Sequence, residues 1–156
     1  MLWIKTFFGI LFQTALLGVF LYLPALTLNW SDALLFLSIH FLITILASAY
    51  LLIVKPASIE ARMNYDSEAQ PKEDRLATVL MLSAIVVGLS LAPIDIFHLN
   101  LSSAFEGNIK NIGLGFYIIG MLLVMASMNA NEFAETTVNI QEQRGQRVID
   151  TGIYSK

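Results

Sequence analysis

The sequence contains no cysteine. Disulfides, thiolate nucleophiles and cysteine-based metal sites are therefore excluded. Charge is also scarce. Only 13% of the 156 residues are Asp, Glu, Lys or Arg, where a soluble domain carries about a quarter. The few charges are clustered: residues 6–31, 33–54, 76–94 and 111–131 have none, in runs of 26, 22, 19 and 21 residues. Carboxylates inside these runs are absent, and His40 is the one ionisable side chain deep within them. A proton-conducting transporter needs a chain of such groups, so that class is disfavoured. Repeated half-helices, the mark of inverted-repeat transporters, are also missing.

What is present is apolar length. Hydrophobic residues make up 56% of the chain, and a helix of roughly 20 apolar residues crosses a bilayer. The pattern predicts an all-α integral membrane protein with four transmembrane helices plus a short cytoplasmic surface segment. Spans are expected at about 6–28, 33–54, 76–94 and 111–131. Residues 1–131 would form one membrane domain and 132–156 a cytoplasmic segment. The first run is read as a span, because it is too long for a signal-peptide core and no small-x-small cleavage site follows.

With four spans, Lys5, Lys55, Arg62, Lys72, Arg75, Arg144, Arg147 and Lys156 share one face, against Lys110 on the other. The positive-inside rule then places both termini in the cytoplasm, of a bacterial inner membrane or its equivalent. Nucleic acid is not an expected partner, because the basic residues are interleaved with more numerous acidic ones. Metal is not expected either: His40 and His98 fall in opposite membrane halves, and neither has a carboxylate at ligand spacing.

Local signals refine the spans. Thr14 and Gly18 are four apart on helix one, and Ala84, Gly88 and Ala92 form a ridge of small residues on helix three. Pro93 and Asp95 are expected to end helix three. Helix four carries Gly113, Gly115, Gly120, Ala126 and Ala130, with Met121, Met125 and Met128 as packing or lipid-facing side chains or, alternatively, a substrate wall. Trp30 suits the interface, and Ser31 or Asp32 is a candidate cap for helix two. In the loop 55–75, residues 57–65 suggest a short interfacial helix with Ile59 and Met63 toward lipid, followed by a linker over 66–72. His40 has two readings: a hydrogen bond to a neighbouring helix, or a place in a site. Asn129, Asn131 and Glu132 gather where helix four leaves the membrane. Beyond them a surface helix over 132–139 and two extended pieces around Gly145 are expected.

The stretch "NEFAETTVNIQEQRGQRVIDTGIYSK" resembles the segment preceding the catalytic core of the isoprenylcysteine carboxyl methyltransferase family, within the phospholipid methyltransferase-like enzymes. The matching elements are Asn131-x-Phe133, Val138-x-Ile140-Gln141, Arg144-Gly145, Val148 and Thr151-Gly152-x-Tyr154. Glu60-x-Arg62, Asp74-Arg75 and Asp95 match upstream, so the likeness runs from about Glu60 onward. Ile153 stands where the family has Pro, and the family's Arg-His-Pro-x-x-Tyr motif does not follow Tyr154. The resemblance implies the N-terminal portion of an S-adenosylmethionine-dependent membrane methyltransferase acting on a lipophilic acceptor, inactive as these 156 residues alone. It also implies that Gly152 and Tyr154 edge the cofactor pocket, that Arg144-Gly145 presents them, and that Asn131 borders the substrate tunnel. The alternative is an accessory subunit of a membrane complex, docking among lipids through the Ala84, Gly88 and Ala92 ridge.

Overall fold

A computed structural model describes residues 1–63, 72–101, 108–131 and 148–155. Five α-helices account for most of them: α1 Leu2–Ala25, α2 Ser31–Val54, α3 Pro56–Met63, α4 Lys72–Ile94 and α5 Asn108–Ala130. Helices α1, α2, α4 and α5 are long and apolar enough to cross a membrane. No strand occurs among the described residues. The chain is an all-α, multi-pass membrane protein.

Many Leu, Ile, Val and Phe side chains on all four spans are exposed among the described residues. Water would make such a surface unfavourable, whereas lipid tails solvate it. In lipid the backbone must satisfy itself, which helices do within their own segment, apart from the donors missing at Pro24 and Pro93.

Helices α1 and α2 form an antiparallel hairpin. Helix α4 packs on α1, and α5 packs on α2. The fourth span therefore pairs with the second, and its sequence neighbour α4 lies against the first. Close approach in the hairpin occurs at Gly18, where an added Cβ would lie 3.5 Å from Leu37. The Thr14 hydroxyl turns back instead to the Ile10 carbonyl, at 2.9 Å.

The two ends of the bundle differ. At one end, α3 folds beneath α1 and α2. Leu51, Leu52 and Ile59 form a buried cluster there, with Leu2 and Met128 against it. Ile59 thus faces inward, contrary to the lipid-facing position expected from sequence. Pro56 directly after α2 turns α3 back across the helix ends, so its apolar stripe meets protein before lipid. Met63 also turns toward α1, where its sulfur accepts a hydrogen bond from the Thr6 hydroxyl at 3.6 Å.

At the other end, the α1–α2 turn is pinned by aromatics. The Trp30 ring stands edge-on to Tyr22 and Phe97, with centroids 6.3 and 5.3 Å away. The Tyr22 hydroxyl donates to the Trp30 carbonyl at 3.1 Å. Trp30 itself occupies the N-cap of α2 with no side-chain cap, so neither Ser31 nor Asp32 caps that helix.

All four span starts move outward from the sequence expectation, while the first and fourth spans end slightly earlier. Helix α1 begins at Leu2 and takes Lys5 into its first turn. The largest change is at the end of the third span: α4 closes at Ile94, between Pro93 and Asp95 as expected, but the span runs on to Leu99. Pro93 is fully buried, and the chain continues as a π-helical turn over Asp95–Leu99. Proline removes one N–H from the helical ladder, and a wider turn re-registers the bonding beyond it. The Asn100 N–H closes that turn onto the Asp95 carbonyl at 2.7 Å. The His98 Nε2–H then donates to the Pro24 carbonyl at 2.7 Å, tying this extension to the end of α1.

Candidate functional site

The sequence points to the end of α5, and the fold brings the described parts of that region together. Helix α5 ends at Ala130, and the Asn131 N–H extends its bonding by one step to the Ser127 carbonyl at 2.8 Å. Two residues earlier, the Tyr50 hydroxyl of α2 reaches the Asn129 side-chain oxygen at 3.4 Å. The residues 148–155 return to this spot. Gly152–Tyr154 form a single 3₁₀ turn that packs on α5. The Tyr154 and Ser155 amides donate to the Thr151 and Gly152 carbonyls, each at 3.2 Å.

Glycine is required in this turn for two reasons. Its φ of +64° is in the left-handed region, where side chains are strained. A Cβ there would also come within 3.1 Å of the Ala130 side chain, tighter than ordinary contact. Gly152 therefore lets the turn sit flush against the last residue of α5, next to Asn131. The Tyr154 ring stays exposed beside it. The candidate set Asn131, Gly152 and Tyr154 thus lies at one end of the bundle, the end that also holds Lys5, Lys55, Arg62 and Arg75. The expected surface helix over 132–139, Arg144 and Gly145 lie outside the described residues.

A second polar group lies in mid-span. His40 is buried, and its Nδ1 meets the Tyr117 hydroxyl of α5 at 2.5 Å. Phe36, one turn earlier on α2, lies 4.8 Å from the Tyr117 ring and stacks on His40 at 6.5 Å. This is the interhelical hydrogen bond that one reading of His40 requires. When the Tyr117 hydroxyl donates, the ring proton sits on Nε2. That nitrogen and the Thr44 hydroxyl, one turn along the same face, are buried without hydrogen-bond partners among the described residues. Sequence reasoning passed over Tyr117. The signal was available in principle, because a buried His needs a partner at equal depth on a neighbouring span.

The small-residue ridge is placed differently from both. Ala84, Gly88 and Ala92 are not buried, and a Cβ on Gly88 would meet nothing within 4 Å. The contact of α4 with α1 uses other faces of the helix. Among the described residues, no three His, Asp or Glu side chains gather as a metal site would need. No family model, no curated protein and no solved structure matches the chain.

Proposed function

We propose that this chain is the membrane-embedded portion of an S-adenosylmethionine-dependent methyltransferase acting on a lipophilic acceptor. The observation that supports the reading most is the Gly152 turn docked on α5 beside Asn131, with the Tyr154 ring left exposed. The likeness to the isoprenylcysteine carboxyl methyltransferase family assigns its pocket edge to these same residues. A lipophilic acceptor enters sideways between helices, and a polar cofactor arrives from the aqueous face. Their meeting point is therefore the end of a span, where these residues lie.

The residues present are suited to one edge of such a pocket. Tyr154 offers an aromatic face for an adenine ring or a sulfonium. Gly152 lets backbone approach closely, and the Asn131 amide can donate and accept. S-adenosylmethionine, when bound, supplies an electrophilic methyl group on a sulfonium. The chain's own part is to hold the acceptor still and exclude water from the junction. In this reading the Gly152 end faces the cytoplasm, in keeping with the basic residues gathered there.

The experiment is methyl transfer in native membranes carrying the intact gene product, with S-adenosylmethionine tritiated on its methyl group. Label is expected in the lipid extract, and Tyr154→Ala should lower it about tenfold, the effect of losing one contact of roughly 1.4 kcal/mol in the transition state. Label no higher than in membranes lacking the protein would overturn the reading. The accessory-subunit reading has its own support in the unfilled Ala84, Gly88 and Ala92 ridge. Stoichiometric co-purification of another membrane protein, together with absent methyl transfer, would favour it.

A further inference from the structure

The first turns of α2 and α5 stand side by side at the end of the bundle opposite Gly152. Between them lies a cleft of about 470 Å³, within the range of roughly 300–1,000 Å³ typical of ligand sites. Its rim is ionic. The Lys110 ammonium donates to the Asp32 carboxylate at 2.8 Å, and both side chains are more than half exposed. Besides Asn111, the rest of the lining is mainly apolar, with Leu35, Phe36, Gly113 and Leu114, and it reaches to Tyr117. The cleft is therefore built for an amphiphile.

The sign of the charges selects which one. Among the described residues of 26–32, 95–101 and 108–110 at this end, Lys110 is the sole Lys or Arg. A headgroup phosphate bound here thus has one ammonium to meet. A purely anionic headgroup would also bring its charge against Asp32. A headgroup with its own ammonium avoids this, because phosphate pairs with Lys110 while ammonium pairs with Asp32. An exposed ion pair is worth only about 0–1 kcal/mol, so exchanging partners costs little.

We propose that the α2–α5 cleft binds a zwitterionic phospholipid with a primary-ammonium headgroup, the phosphoethanolamine type. The headgroup straddles Lys110 and Asp32, and the upper part of one chain lies along Leu35 and Phe36 toward Tyr117. The cleft lies at the opposite end of the bundle from the Gly152 turn, and the proposal does not rest on the methyltransferase reading.

Gly113 makes the test clean. It lines the cleft, and a Cβ added there meets nothing within 4 Å, so a larger side chain can start into the cleft space without an initial clash. The full chain is reconstituted in nanodiscs of equimolar phosphatidylethanolamine and phosphatidylglycerol, and retained lipid is read by native mass spectrometry. One phosphatidylethanolamine per chain is expected, favoured over phosphatidylglycerol about fivefold, as one interfacial charge contact of about 1 kcal/mol gives. Lys110→Gln should cut retention by a similar factor. Asp32→Asn should erase the preference between the two lipids, and Gly113→Leu should abolish retention. Equal retention of both lipids by the unaltered chain would overturn the proposal. So would a folded Gly113→Leu variant that keeps its lipid. If Gly113→Leu does not fold, the two rim variants decide alone, and unchanged retention and preference in both would also overturn it.

Discussion

His40 is inexpensive to bury while neutral, provided one ring nitrogen is satisfied. The Tyr117 hydroxyl does this across the α2–α5 interface. Tyr117→Phe keeps the ring against Phe36 and removes only the hydroxyl, so Nδ1 of His40 loses its partner. Interhelical bonds of this kind in membranes contribute about 0.6 kcal/mol on average and up to about 1.7. A double-mutant cycle of Tyr117→Phe and His40→Leu, read by unfolding in mixed micelles, should give a coupling in that range. Coupling indistinguishable from zero would show that the bond adds no stability. Gly152 is the second residue on which a contact depends. Gly152→Ala forces a side chain into left-handed backbone and against Ala130, at a cost of about 1–2 kcal/mol. The turn should lift from α5, and amide hydrogen exchange at Tyr154 and Ser155 should accelerate. Unchanged protection of those two amides would mean that the turn is not held there by glycine.

Among the elements, the spans were legible because an absence marks them: a charge-free apolar run of about 20 residues suits a bilayer and little else. Their ends were less legible. Pro93 reads as a stop, and α4 does end at Ile94, but a π-helical turn carries the span on to Leu99. Helix α3 was legible as a helix but not in its facing. Spacing of four puts Ile59 and Met63 on one stripe without saying whether lipid or protein lies opposite. The partner of His40 was hidden for a topological reason, since α5 pairs with α2 and not with its chain neighbour α4. Of the candidate site, the proximity of Gly152 to the end of α5 depends on the return of the chain, which no local pattern encodes. The ridge on α4 allows a further test at this scale. Gly88→Leu meets open space and replaces the poorest helix former after proline, so the chain's own stability should hold or rise by up to about 1 kcal/mol. If the ridge docks another membrane protein, the same variant should lose that partner in co-purification. A variant that folds normally and keeps a stoichiometric partner removes the ridge as the contact.

At the scale of the whole molecule, packing runs in the order α4, α1, α2, α5, which leaves the two outer helices with most of their surface toward lipid. The two ends are chemically unlike. One holds the α3 cluster, Lys5, Lys55, Arg62 and Arg75, and the Gly152 turn. The other holds the Trp30 aromatics, the π-helical turn and the Lys110–Asp32 pair. The methyltransferase reading needs the first end on the cytoplasmic side, since its cofactor is water-soluble and made there. The absence of cysteine makes this directly measurable, because any introduced thiol is the sole target of a maleimide. Leu28, 85% exposed in the α1–α2 turn, and Val148, 91% exposed before the Gly152 turn, mark the two ends without touching the packing. In intact cells a membrane-impermeant maleimide should label Leu28→Cys, and should label Val148→Cys only after permeabilisation. The reverse pattern would invert the orientation and separate Gly152 and Tyr154 from the cytoplasmic cofactor pool. Labelling of both from one side would contradict the three crossings, α2, α4 and α5, that separate Leu28 from Val148.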